Sequence, residues 1–352
     1  MAVVYDKQKN EITSLSTLYD KSKNHPSHIY GKDKAEIILE EPQPIHDLSN
    51  VKWVAFGDSL TDPTASGGPY KYPYWLNKLT GIDVQNCGVG GTGMWNGGSV
   101  NYPSRMSSIR TDANIVTIFG SINDHKMQTG PRTSPSGYSC TMGFDTNGNE
   151  RTWNEFYNSA AKKKFYFNSQ NLVDPDSEPS IIDSLTLSDT LSDGQSTYVA
   201  YVNEAINIAH RRSPNAKIVL VGEIHYRNTH TDMCTMQRTI KRRIVQKRRA
   251  NGDIWLSWVD LFFDKYIGIY GTENEYCNTE PGWGLNFTQI YHDSFCNHYT
   301  SDGKGHPNKH YNYEWLTLRF GQIICDALGV DRDVLPTEAE MVALAPTFPE
   351  LQ

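Results

Sequence analysis

Four short polar stretches of the chain contain the residue types that acyl transfer by a serine requires. They are residues 57–60 (Gly-Asp-Ser-Leu), 86–92 (Asn-Cys-Gly-Val-Gly-Gly-Thr), 120–124 (Gly-Ser-Ile-Asn-Asp) and 302–308 (Asp-Gly-Lys-Gly-His-Pro-Asn). This reaction needs a nucleophile, a histidine to take its proton, a carboxylate to fix the histidine tautomer, and donors aimed at the developing oxyanion. Ser59, His306 and Asp302 can fill the first three roles. The backbone N–H groups of Ser59 and Gly91, with the side-chain amide of Asn123, can supply the donors.

Ser59 follows an apolar run, residues 51–57, that is rich in β-branched and aromatic side chains and stops at Gly57. This pattern predicts a buried strand that leads into a tight turn, with Ser59 at the carboxyl edge of a sheet. Open α/β sheets bind their ligands at that edge. Ser59 could instead cap the following helix, because Ser, Thr and Asp favour that position. The two roles are compatible, and the local sequence does not separate them.

Strands that alternate with helices predict a parallel sheet covered on both faces. The predicted strands are residues 51–57, a short stretch at 82–84, 114–120, 217–222 and 254–261, and the predicted helices are residues 70–79, 197–212, 232–250 and 311–328. Two long segments rich in polar and aromatic residues, about 126–195 and 266–301, interrupt this alternation and are typical of binding insertions. We therefore expect an extended N-terminal arm (1–48), one α/β domain (49–330) and a proline-punctuated C-terminal tail (331–352).

The four blocks, in this order, resemble the motifs of the GDSL or SGNH hydrolases, a family of serine esterases and lipases with a flavodoxin-like three-layer α/β/α sandwich. The resemblance extends from the first predicted strand to the last predicted helix. It implies that Ser59 is the nucleophile and that His306, which precedes a proline, is the base. It also implies an oxyanion hole that contains Gly91, with Gly90 as the alternative, and Asn123. A member of this family would need no metal and no organic cofactor.

Among the expected catalytic residues, the acid is the one whose position departs from the family pattern. The family places it three residues before the histidine, where this chain has Gly303, and Asp302 lies one residue further away. A bulge would bring Asp302 to the ring of His306, and Asp293 or a backbone carbonyl could orient the ring instead. Removing the acid of such a triad costs on the order of 10⁴ in turnover, so this position matters for activity.

Two other kinds of site fit parts of the sequence less well. The glycines of residues 88–93 match a dinucleotide-binding fingerprint, but the residues after them are too rich in Gly, Asn and Pro to form the required helix. His292, Cys296 and His298 are close together, but their spacing matches no recognised set of zinc ligands. We therefore expect neither a nucleotide nor a metal.

The composition limits the kinds of partner and place. The 352 residues carry a net charge of −7, which argues against nucleic acid. Residues 238–249 are crowded with Lys and Arg, but apolar residues at helical spacing predict the solvated face of an amphipathic helix rather than an anion site. No apolar run approaches the ~18–20 residues of a membrane span, and the amino terminus lacks the layout of a signal peptide. The compartment stays open, with a cell surface or a virion among the alternatives.

The six cysteines do not fix the redox environment. Cys87 and Cys325 lie in apolar segments, which predicts buried thiols. Cys277 and Cys296 flank a loop rich in Gly, Asn and Tyr and could pair, but the connectivity cannot be derived from the sequence.

The sequence therefore predicts a serine esterase that works through an acyl-enzyme. The two insertions are rich in Tyr, Trp, Asn and Asp, which suit stacking and hydrogen bonding to a sugar. The expected substrate is a short, acetyl-type ester on a carbohydrate or cell-wall glycan. A catalytically weak or inactive glycan-binding or structural module of a surface or phage-tail assembly is the first alternative, and a lipase or thioesterase is the second. The oligomeric state stays open.

Overall fold

The computed structural model describes residues 4–5, 11–12, 47–66, 68–95, 100–120, 123–124, 141–152, 185–187, 197–222, 231–261, 265–268, 306 and 308–352. The chain divides into two compact units, Met1–Ile45 and His46–Gln352. In the first unit, strand β1 (Val4–Tyr5) pairs antiparallel with strand β2 (Glu11–Ile12). This small hairpin is the described part of the segment that we expected to be an extended arm.

The second unit is built around a six-stranded sheet. The strands of this unit are β3 (Lys52–Gly57), β4 (Asp83–Gly88), β5 (Ile115–Phe119), β6 (Thr141–Phe144), β7 (Glu150–Thr152), β8 (Lys217–Val221), β9 (Leu256–Asp260) and β10 (Lys265–Ile267). The sheet has the order β10-β9-β8-β5-β3-β4, and β6 pairs with β7 in a separate hairpin. Strands β3, β4, β5, β8 and β9 are parallel, whereas β10 runs antiparallel to β9 at the edge.

The helices of the second unit are α1 (Tyr72–Thr80), α2 (Tyr102–Arg105), α3 (Tyr198–Arg212), α4 (Thr231–Ala250), α5 (Thr317–Leu328) and α6 (Glu338–Leu344). A π-helical turn, Tyr311–Leu316, leads directly into α5. The chain starts α3 with Thr197, whose hydroxyl accepts the N–H of Ala200, and it ends α1 at Gly81 with a φ of 71°. Both are ordinary helix-end devices, because they give backbone groups partners that the helix itself lacks.

Alternate side chains of the central strands enter two separate cores, one on each face of the sheet. Val54 and Phe56 of β3 pack in the core that α3 and α4 cover. Trp53 and Ala55 of the same strand pack in the core that α1 and α5 cover. Burial of each large apolar side chain contributes about 1.5–3 kcal/mol, so both helical layers are needed. The sheet between two helical layers confirms the predicted three-layer α/β/α sandwich.

The basic helix α4 is solvated only in part: Lys247 is exposed and Arg243 and Arg248 are partly exposed, as its amphipathic pattern predicted. Four of its basic side chains are buried: Arg238, Lys241, Arg242 and Arg249. Lys241 donates to the carbonyl of Gly120 (3.0 Å), and Arg238 forms an ion pair with Asp260 (3.2 Å). The prediction was wrong for these four side chains because a helical pattern identifies apolar faces but not acceptors, and the acceptors of Lys241 and Arg238 come from the ends of β5 and β9.

Three further segments contain more regular structure than we expected. Part of the first insertion forms the β6–β7 hairpin, and Leu185 makes an isolated bridge to Asp145. The second insertion was expected to begin at about residue 266, but strand β10 (Lys265–Ile267) lies there. Most of the other residues of both insertions lie outside the described residues. In the C-terminal segment, Met341 of α6 packs with Trp75 and Tyr313 in a small third core.

Cys87 and Cys325 are free thiols. Cys325 is buried, as expected, whereas Cys87 is only half-buried. Cys277 and Cys296 lie outside the described residues, so the structure does not test the pairing.

Candidate active site

The turn after β3 carries Ser59. At Gly57, a Cβ would lie 2.9 Å from the carbonyl oxygen of Phe119, so this strand end requires glycine. Asp58 is fully buried, and its Oδ1 accepts the N–H of Leu60 (2.9 Å), which closes the turn. Ser59 is 8% exposed. The turn thus holds Ser59, nearly covered, at the carboxyl end of the strand.

Ser59 is not the cap of the following helix. Helix α1 begins at Tyr72, and Lys71 occupies its N-cap position. The described residues between Ser59 and Lys71 contain turns and bends but no helix. The capping alternative is therefore wrong, because the chain takes a further twelve residues before it enters α1.

His306 brings a ring nitrogen to Ser59. Its Nε2 lies 3.1 Å from the Oγ of Ser59, although the two residues are 247 positions apart. This is a hydrogen-bond distance, and a serine hydroxyl at this range can pass its proton to a neutral imidazole. The hydroxyl is the donor when the ring carries its own proton on Nδ1. The contact therefore has the geometry of a nucleophile and its general base.

The loop after β4 lies directly against the Ser59 turn. At Gly88 a side chain would overlap the backbone of Asp62. Gly90 donates its N–H to Oδ2 of Asp62 (2.7 Å), and a Cβ at Gly90 would lie 3.8 Å from the Cβ of Ser59. Gly91 has a φ of +75°, a conformation that glycine adopts readily. Glycine is thus needed in this loop both for close approach and for backbone shape.

Asn123 joins the loop after β5 to the loop after β4. Its Nδ2 donates to the carbonyl of Thr92 (2.9 Å), which uses one of the two N–H donors of the amide. Arg105 donates to the hydroxyl of Thr92 and to the carbonyls of Gly57 and Cys87, at 2.9–3.0 Å. The ends of β3 and β4 and the two glycine-containing loops are therefore tied together by hydrogen bonds.

Two carboxyl groups and one amino group are buried beside this turn: Asp58, Asp62 and Lys71. Burial lowers the pKa of Lys71 to about 8, against the attraction of Asp62 and Asp58. For Asp62, burial acts to raise the pKa, but hydrogen bonds from Thr64 and Gly90 and the charge of Lys71 outweigh it, so the pKa is lowered. Asp62 is therefore a charged acceptor for Gly90 at neutral pH.

Several predicted positions lie outside the described residues. They are the expected acid Asp302, its neighbour Gly303, the alternative Asp293, and the cluster His292, Cys296 and His298. Within the ranges that the structure describes, no group of three or more His, Cys, Asp and Glu side chains could hold a metal ion. Of the described helices, none is both long enough and apolar enough to cross a membrane.

The sequence reasoning missed three polar residues that brace the site. Asp62 carries a usable signal, because it follows Ser59 by three residues and a glycine-rich loop elsewhere must find acceptors for its N–H groups. Lys71 and Arg105 carry no such signal. Their partners are backbone carbonyls and distant carboxylates that only the fold brings near them.

Comparison of this chain with known proteins finds similar structures but no similar sequence family. No protein-family model matches the chain, and no curated protein matches it. A protein from Chitinophaga pinensis described as a possible lipase matches with a TM-score of 0.37 and 18% identity, over 81% of this chain and 97% of its own. A GDSL-like lipase from Bacteroides ovatus matches with a TM-score of 0.39 and 13% identity, over 80% of this chain and 54% of its own.

A family two carbohydrate esterase from Clostridium thermocellum, solved with cellohexaose, matches with a TM-score of 0.32 and 16% identity, over 63% of this chain and 56% of its own. The matched region is thus little more than half the length of the Clostridium and Bacteroides chains. The names of these proteins include the family that the four blocks resemble. At such low identities and TM-scores they say nothing about the chemistry of this chain, which depends on the contacts around Ser59.

Proposed function

We propose that this chain is a serine ester hydrolase of the SGNH type. Ser59 attacks the ester carbonyl while His306 takes its proton, the alcohol leaves with that proton, and the acyl group stays on Oγ. Water activated by His306 then releases the acid and restores the serine. The observation that carries the proposal is the 3.1 Å contact between Ser59 Oγ and His306 Nε2.

The proposed oxyanion donors are the N–H groups of Ser59 and Gly91 and the side-chain amide of Asn123. The resemblance assigns this role to Gly91 with Gly90 as the alternative, and the N–H of Gly90 donates to Asp62. The side-chain amide of Asn123 donates one hydrogen to the carbonyl of Thr92. We assign its second amide hydrogen to the oxyanion. Donors that are fixed before the reaction stabilise the transition state without further reorganisation.

The proposed acid is Asp302, on its place in the sequence alone. Its role would be to accept the Nδ1 proton of His306, which leaves Nε2 free to receive the proton of Ser59. No metal or organic cofactor enters this mechanism.

For the substrate, we propose a short, acetyl-type ester on a carbohydrate. The support is the composition of the two insertions, whose aromatic and amide side chains suit stacking on a sugar and hydrogen bonding to it. Rates on acetyl, butanoyl and octanoyl esters of one aryl alcohol, followed by acetate release from acetylated glycans, test this choice. A preference for the long chain would favour a lipase or thioesterase instead.

The mechanism is tested with a fluorophosphonate probe and an aryl acetate ester on the full chain. We expect one covalent adduct, located at Ser59 by mass spectrometry, and no adduct and no turnover in Ser59→Ala at an unchanged melting temperature. Ser49→Ala is the matched control, because Ser49 is an exposed serine before β3 and its loss should change neither readout. Turnover that survives in Ser59→Ala would remove the mechanism. A wild-type chain that stays unlabelled would favour the inactive glycan-binding module.

A further inference from the structure

One buried asparagine connects the segment of His306 to helix α1. Asn312 is fully buried within the π turn Tyr311–Leu316. Its Nδ2 donates to the carbonyl of Asn308 (2.9 Å), and its Oδ1 accepts the N–H of Tyr72 (3.1 Å). That N–H belongs to the first turn of α1, where backbone donors have no partner inside the helix. Asn312 therefore uses both ends of its amide to bridge two elements.

Tyr72 continues this connection to the nucleophile turn. Its hydroxyl lies 3.0 Å from the Oγ1 of Thr61, and both side chains are fully buried. Its ring stacks on Phe320 with the ring centroids 4.0 Å apart. Burial also raises the pKa of Tyr72 far above the usual range, so the phenol stays neutral. Because a close-packed ring cannot shift on its own, the hydroxyl and the N–H of Tyr72 keep a fixed separation.

Asn312 lies in a π-helical turn, a conformation that is unusual in a helix. The N–H of Thr317 bonds to the carbonyl of Asn312, five residues back, and the hydroxyl of Thr317 donates to the same oxygen (2.6 Å). Such turns are rare in helices and are frequent at functional sites. The bridge that Asn312 makes between Asn308 and α1 supplies a reason for this turn.

We propose that Asn312 and Tyr72 are positioning residues that set the distance between Ser59 and His306. The hydrogen-bonded path begins two residues after the nucleophile and ends two residues after the base. The inference rests on the proposed function, in which this distance governs proton transfer. Displacement of a reacting group by about 1 Å can cost about 10²-fold in rate, so a fixed path between the two turns has a direct consequence for turnover.

Two substitutions interrupt the path at different points. Asn312→Leu removes both hydrogen bonds of the bridge, and we expect kcat on an aryl acetate and the rate of fluorophosphonate labelling to fall about 10- to 100-fold. Tyr72→Phe keeps the stacked ring and loses only the contact to Thr61, so we expect a fall of about 2- to 10-fold. In both variants KM should stay within about twofold of wild type, because substrate contacts are unchanged.

Thr117→Val is the matched control. It removes a buried hydrogen bond from the indole of Trp53 (2.9 Å) in the middle of the sheet. We expect it to lower the melting temperature by an amount similar to that in Tyr72→Phe and to leave kcat unchanged. Such a result separates positioning of the base from general loosening of the fold.

The outcomes distinguish this inference from the proposed function. Wild-type kcat in both path variants, or an equal loss of kcat in Thr117→Val, would overturn the positioning role while labelling of Ser59 still supported the enzyme. A wild-type chain that is never labelled would overturn both. If Asn312→Leu does not fold, Tyr72→Phe decides alone, because it changes one oxygen atom and keeps the ring packing.

Discussion

Replacing Asp62 with asparagine tests whether this carboxylate holds the glycine loop in the geometry that catalysis needs. Asp62 accepts the N–H of Gly90 at 2.7 Å and the N–H and hydroxyl of Thr64 at 2.8 and 2.7 Å. Asparagine has the same shape, but its amide nitrogen cannot accept a hydrogen bond. When the oxygen of the new asparagine faces Thr64, its NH2 group must face the N–H of Gly90. Two donors then point at each other and no hydrogen bond forms. Gly91, the next residue, then loses the support that fixes its own N–H.

The size of the effect follows from two magnitudes. Loss of a hydrogen bond costs about 0.5–1.5 kcal/mol, and the two facing donors repel each other, so the loop is expected to shift. Complete loss of one oxyanion donor costs about 10²–10³ in kcat. Because Gly91 would be displaced rather than removed, we expect kcat of Asp62→Asn to fall by less, about 10- to 100-fold. KM should stay within about twofold, since the lost support acts on the transition state.

The assay is the initial rate on an aryl acetate near neutral pH, with the melting temperature measured on the same preparation. Asp112→Asn is the control, because it makes the same chemical change in an exposed carboxylate that pairs with Lys52 and Arg110 at the other end of the sheet. Exposed pairs of this kind contribute about 0–1 kcal/mol, so kcat should not change. Wild-type kcat in Asp62→Asn would refute the idea that the bond to Gly90 positions the loop. An increase in KM alone would assign Asp62 to substrate binding.

Three other variants probe the same region. Asn123→Ala should lower kcat about 10²- to 10³-fold with little change in KM, and an unchanged kcat would exclude Asn123 from the oxyanion hole. Gly88→Ala should lower the urea midpoint clearly, because the new methyl group would overlap the backbone of Asp62, which cannot move aside as a side chain could; a wild-type midpoint would contradict that packing. In the folded protein Lys71 has a pKa of about 8, below its usual value of 10.5. Between these two pH values the unfolded chain binds more protons than the folded protein, so Lys71 makes the free energy of unfolding increase with pH from about 8 to about 10.5. Lys71→Met should lack this increase in urea midpoint, and an identical pH slope in wild type and variant would show that Lys71 does not cause it.

The strand ends could be predicted from the sequence because they obey local rules. An apolar run that stops on glycine before polar residues marks the carboxyl end of a buried parallel strand, and Gly57 and Gly120 both show it. Parallel strands bring such ends to one edge, so the sequence already predicted that Ser59 and Asn123 would lie along the same side of the sheet. The approach of His306 could be anticipated only from the order of the motifs, since no local pattern reports a contact between residues 247 positions apart.

The buried charges could not be predicted, because their partners are chosen by tertiary packing. Helix α4 shows apolar spacing that suggests one solvated face, yet Arg238 lies 2% exposed against Asp260 at the end of β9. Lys71 likewise reads as the start of a helix, whereas the fold buries it beside Asp62. A hydrophobic pattern predicts which apolar side chains are buried. It does not predict which charged side chains are buried with a partner of opposite charge or a hydrogen-bond acceptor.

These buried polar groups bear on the choice between an enzyme and a binding module. Burial of a charge or an amide costs free energy unless its partners are well placed, and a well-packed apolar side chain often serves stability as well or better. Here Asp62 bonds the loop beside Ser59, and Asn312 bonds the segment of His306 and the first turn of helix α1. A module that only binds glycans needs no fixed distance between a hydroxyl and an imidazole. A hydrolase does, and polar bracing on both sides of that one contact is what its mechanism requires.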